Sequence, residues 1–134
     1  MKFILLISLL LLSSITWGFS GDGMPFKYIS SCEIDLNGDK NADKAILIEG
    51  LKGRELLALI SKPKGYDTYV VSTGKENMFL NCTIGISLKE TIAAGEKGKV
   101  HKTPGAYLKL VKPESSAVAY YWNKGIFQEV WTSE

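Results

Sequence analysis

The chain reads Asp35-Leu36-Asn37-Gly38-Asp39-Lys40-Asn41-Ala42-Asp43, with an oxygen-bearing side chain at every second position. Calcium is a hard cation that takes roughly 6–8 oxygen ligands. A tight loop with alternate residues turned inward supplies them from a short segment. Asp35, Asn37, Asp39 and Asp43 are the side-chain candidates, and Asn41 is placed to give its backbone carbonyl, as the seventh position does in the helix-flanked calcium loop. Three carboxylates packed this closely repel one another unless a cation sits among them. The pattern therefore points to Ca2+ in a structural role. A solvated turn also draws on Asn, Asp and Gly, but it has no need of alternation through five positions.

The loop is not an EF-hand. Its twelfth position is Ile46 rather than a bidentate Glu, its sixth is Lys40 rather than Gly, and its flanks read as strands.

Little else in the chain could do chemistry. His101 is the single histidine, and no zinc spacing, G-x-S-x-G or H-E-x-x-H is present. Cys82 with His101 would make a thiol nucleophile and base, but a Cys with a disulfide candidate at Cys32 is poorly suited to that role. Gly95-Glu96-Lys97-Gly98-Lys99-Val100 looks superficially like a phosphate loop, yet it lacks the full spacing and the Ser/Thr after Lys. The chain reads as non-enzymatic.

The elements that must position the loop have a period of two. Residues 28–34, 44–48, 55–61 and 67–72 are short apolar or β-branched runs separated by Gly-bearing turns at 50–53 and 62–65. Residues 83–88 and 106–111 read as further strands. Residues 89–94 are expected to form a turn and a half of helix, and 95–105 a basic loop carrying Lys97, Lys99, His101 and Lys102. Residues 117–122 and 126–131 flank Asn123-Lys124-Gly125, read as a three-residue hairpin loop. The expected fold is mainly β (α+β if the short segment is helical): a single small antiparallel β-sheet domain of hairpins, with at most one short helix.

At this point the loop invites comparison. Asp35 to Asp43, followed by Lys44-Ala45-Ile46-Leu47-Ile48, resembles the calcium loop of FG-GAP/VCBS-type repeats, the β-hairpin loop of integrin-type propeller blades. The likeness spans residues 34–48 and implies ligation by the side chains of Asp35, Asn37, Asp39 and Asp43 and by the main chain of Asn41. Lys40 stands where that family carries Gly, which places a cation beside the site and costs about 1 kcal/mol if a positive φ is needed. One copy is present, so a closed propeller cannot form from this chain.

The N-terminus points to export. Lys2, the apolar stretch 3–12 and the small residues Gly18 and Ser20 are the parts of a cleavable signal peptide. We assign residues 1–20 to it and 21–134 to one β-rich extracytoplasmic domain, periplasmic or extracellular. The apolar run is shorter than the roughly 20 residues that span a bilayer, so no membrane association is expected after cleavage. Ile29-Ser30-Ser31-Cys32 looks like a lipoprotein box, but Asp22 and Lys27 separate it from the apolar stretch. The whole chain carries a net charge of +2, and loss of Lys2 leaves +1, which gives no argument for nucleic acid, and no nucleic-acid partner is expected. In an oxidising compartment Cys32 and Cys82 most simply form one disulfide. Such a bridge stabilises by roughly 4 kcal/mol in the chain-entropy model; two buried thiols are the alternative. Asn81-Cys82-Thr83 matches a glycosylation acceptor, relevant in a eukaryotic host.

Two functions fit. The first is an exported binding or interaction domain with a structural calcium loop and a protein partner. The second is a small inhibitor or immunity protein that docks on an enzyme through the C-terminal aromatic hairpin (Trp122, Phe127, Trp131) or the basic loop (Lys97, Lys99, His101). Cross-strand packing is the competing role for the aromatics. Strand alternation sends Tyr120 and Trp122 to one face and Tyr121 to the other. A single-layer sheet cannot bury both.

Overall fold

The computed structural model describes residues 26–92 and 98–133; the signal-peptide assignment lies outside them. Eight strands follow one another: β1 (Lys27–Ile34), β2 (Asp43–Gly50), β3 (Gly53–Lys62), β4 (Gly65–Ser72), β5 (Phe79–Lys89), β6 (Val100–Lys112), β7 (Ser116–Asn123) and β8 (Ile126–Thr132). They form two four-stranded antiparallel sheets, β1-β2-β3-β4 and β5-β6-β7-β8, each with chain neighbours as sheet neighbours. The domain is therefore β throughout the described residues, as the period of two requires, but built in two layers.

Alternation decides how the layers meet. In β2 the odd positions Asp43, Ala45 and Leu47 are buried, and in β3 Leu56, Ala58 and Ile60 are. The apolar ones among them (Ala45, Leu47, Leu56, Ala58 and Ile60) and Leu36 pack with Met78, Leu108, Leu110, Val118 and Tyr120. Cys32 and Cys82 are bridged, with Cα atoms 6.5 Å apart, and the bridge joins β1 of one sheet to β5 of the other. It fastens two layers that share no strand.

The second sheet has a cover of its own. The β5–β6 pairing runs past Gly85 opposite Gly105, shifts register between Gly85 and Ser87, and continues to Lys89 opposite Val100. Beyond the shift Leu88 packs with Ala119, Tyr121 and Val130, on the side of β7 opposite Val118 and Tyr120. The Thr91 amide then donates to the Trp131 carbonyl at 2.9 Å, tying the folded-over end to β8. Both faces of β7 are thus buried, one by the first sheet and one by the distal hairpin.

Three expectations change. Residues 100–105 belong to β6 rather than to a basic loop, because His101 turns inward while Lys102 stays exposed. Residues 89–92 are not helical: β5 runs through Lys89, and 93–94 lie outside the described residues. The last hairpin turns on two residues, not three, because Asn123 pairs with Ile126. Lys124 (φ 51°) and Gly125 (φ 92°) both take the left-handed region, which matches the right-handed twist of the strands they join.

Candidate metal site in the β1–β2 loop

The loop leaves β1 at Ile34 and re-enters the sheet at Asp43, which is the partner of Ile34 in the ladder. Leu36 is fully buried and anchors the loop in the core. Its amide donates to Asp43 Oδ2 at 2.8 Å. Asp43 is itself fully buried, and its Oδ1 accepts from the amide of Ser61 at 2.8 Å and from the Ser61 hydroxyl at 3.1 Å. A carboxylate offers about four acceptor sites. Three of them here serve the protein, so Asp43 is first a strut between the loop and β3.

The remaining side chains fold back on their own backbone. Asp35 accepts from the amides of Gly38 and Lys40, each at 2.8 Å and each on a different oxygen. Asn37 Oδ1 accepts from the Asp39 amide at 3.2 Å, and Asp39 Oδ1 accepts from the Asn41 amide at 2.9 Å. Bonds to the amide two residues on are Asx turns. The Asn41 amide is also the leading cause that holds the Asp39 carboxyl below the usual 3.8.

Two backbone angles complete the loop. Gly38 has φ 79°, and a Cβ there would lie 3.2 Å from Pro104 in β6, so the loop lies against the second sheet at a position where a side chain would be strained and crowded. Lys40 has φ 69°. The left-handed strain expected at this non-glycine residue is present.

Among the described residues, no three Asp, Glu, His or Cys side chains are grouped so as to hold a metal. Asp35, Asn37 and Asp39 bend into the loop, whereas Asp43 points to its buried donors. Asp39, Asn41 and Ala42 line one wall of an open cleft of about 640 Å³, faced by Ser61, Lys62 and Pro63. The donor set is oxygen throughout, which is the chemistry of calcium rather than of a softer metal. Free lone pairs remain on Asp35, Asn37 and Asp39.

Comparison with protein-family models, curated proteins and solved structures returned no match.

The residues proposed for a partner surface separate. Tyr69 of β4 meets Trp122 at 5.2 Å and Phe127 at 6.0 Å, edge to face, and Trp122 meets Phe127 at 5.3 Å. These rings are partly buried and packed against the core. Trp131 is half exposed, with Lys75 Nζ 5.1 Å from its ring. Lys99 is exposed, and Lys97 lies outside the described residues. His101 is not on the surface: its Nε2 is 2.8 Å from Glu90 Oε1, its Nδ1 is 3.1 Å from the Tyr121 hydroxyl, and the ring is buried. Cys82 is oxidised and offers no thiol.

Two features escaped the sequence reading. The Glu90–His101–Tyr121 chain links three separate segments and has no local signature. The outer face of the first sheet does have one, in the unbroken apolar runs 45–48 and 56–60.

Proposed function

We propose that the chain is an exported, non-enzymatic binding domain whose β1–β2 loop takes a calcium ion. One observation carries the reading: Asp35, Asn37 and Asp39 are turned into a loop that Asp43 fixes rigidly to β3. The loop also joins two antiparallel strands, as the FG-GAP/VCBS-type likeness implies. Bound calcium would neutralise the clustered carboxylates. Asp35 and Asp39 would hold it by carboxylate oxygen, Asn37 by its amide oxygen and Asn41 by its carbonyl, with Asp43 contributing the acceptor site its protein donors leave.

The position of the loop gives that ion a task. Leu36 enters the core, Gly38 lies against Pro104, and Cys32 three residues before Asp35 carries the bridge to β5. Bracing this corner braces both sheets. Thermal unfolding of the processed protein with calcium and with chelator tests the proposal. Calcium at about 100 times its Kd adds about 2.7 kcal/mol, a rise on the order of 10 °C for a domain of this size. Equal midpoints would remove it. The inhibitor reading retains less surface, because Trp122, Phe127 and His101 are engaged internally.

A further inference from the structure

The outer face of the first sheet is apolar and only partly covered. Ile46 and Ile48 of β2, Leu57 and Leu59 of β3 and Val70 of β4 alternate with the buried residues of their strands, so they project from the opposite side. Ladder pairing sets them side by side: Ser31 against Ile46, Ile46 against Leu57, Leu57 against Val70. Val70 is 62% exposed and Tyr28 60%. None of the five aliphatic residues packs into either core cluster of the described residues.

An antiparallel sheet with one wet face normally reads as apolar inside and polar outside. Unbroken apolar runs mark strands covered on both sides. This molecule contains its own control: residues 117–122 of β7 form such a run, and β7 is covered on both faces. Residues 45–48 and 56–60 carry the same pattern without the second cover among the described residues.

We infer that this face is a homodimer interface, and that the missing cover is the same sheet of a second copy. Two observations select that occupant. Four strands about 4.8 Å apart and about eight residues long at about 3.3 Å per residue give a face of about 500 Å². Two such faces bury about 1,000 Å² together, the size at which a specific interface begins. Its middle row is uncharged and, apart from Ser31 at one edge, aliphatic, which is the character of homodimer interfaces.

The charges also suit self-association. A twofold contact places a patch against itself, so a face of one sign would repel its copy. Here Glu33 and Lys44 lie 3.7 Å apart and offset one another, and Lys44 Nζ also lies 5.5 Å from the Tyr66 ring. Glu55 sits towards the other end, opposite Ile48. The aliphatic centre is left free to pack at the usual spacing of about 10 Å between stacked sheets. This inference does not depend on the calcium loop.

Sedimentation equilibrium of the processed protein, purified from the export compartment and run up to about 100 μM, decides it. The expected result is a mass of two chains, with Val70→Lys and Ile46→Lys each weakening association at least tenfold. The thermal midpoint of Val70→Lys, measured on the dilute monomer, should match the parent, because Val70 is exposed. Trp131→Lys, on the other sheet, should leave association unchanged. A parent that stays monomeric throughout overturns the inference, including the case in which a different protein covers the face. So does a dimer that both lysine variants leave intact.

Discussion

Asp43 receives both the amide and the hydroxyl of Ser61, at 2.8 and 3.1 Å, from a strand that lies 18 residues further along the chain. With the Leu36 amide on its other oxygen, this buried carboxylate welds the β1–β2 loop to β3. The candidate ion site is thus hung from a fixed point, and the strength of that point is separable from metal binding.

Asp43→Ala should destabilise the domain with or without calcium. It strands the amides of Leu36 and Ser61 in a buried setting, and losing hydrogen bonds to a buried charge costs about 3 kcal/mol. Urea unfolding in chelator measures this. Asp39→Ala, at an exposed position, should cost under about 1 kcal/mol in the same buffer. Equal losses for the two would contradict the assignment of Asp43 as the strut.

Lys40 holds a left-handed conformation (φ 69°) that a Cβ disfavours. Lys40→Gly should therefore gain about 0.5–1 kcal/mol in chelator, after allowing for the added freedom of the unfolded glycine. It should also tighten calcium binding, because a positive charge leaves the loop. Unfolding in chelator and a calcium titration read the two effects apart. A variant no more stable than the parent would show that the loop relaxes around lysine without strain.

Burial pushes the Tyr120 phenol up to about 12 from its ordinary 10.0. The unfolded chain then ionises first, so this contribution to stability is complete below pH 10 and is lost as pH rises through 12. Stability of the parent should fall across that window, and Tyr120→Phe should flatten the fall. Urea midpoints at stepped alkaline pH give the slopes. Parallel slopes would show that another group drives alkaline unfolding.

Much of this was legible in the chain. The loop is visible because its oxygens alternate, and the strands because apolar residues recur at every second place. Even the bridge was expected, from two cysteines in a chain read as exported. Other features were hidden for a physical reason: they depend on partners remote in sequence. Asp43 reads only as one more candidate ligand, and its role as a strut shows once Ser61 is found beside it. Residues 100–105 read as a basic loop because Lys99 and Lys102 flank a histidine whose burial depends on Glu90 and Tyr121. The aromatics on the two faces of β7 called for either a second cover or an exposed binding surface, and nothing local says that the distal half of β5–β6 supplies the cover. The two-residue turn at Lys124-Gly125 required knowing that Asn123 pairs with Ile126.

Calcium titration calorimetry on the chelator-stripped, processed protein tests the central claim most directly. The expected result is one ion per chain with a Kd on the order of 10⁻⁵–10⁻³ M, lost in a folded Asp35→Ala/Asp39→Ala double variant. No binding heat and no shift in thermal midpoint at about 10 mM calcium would contradict it.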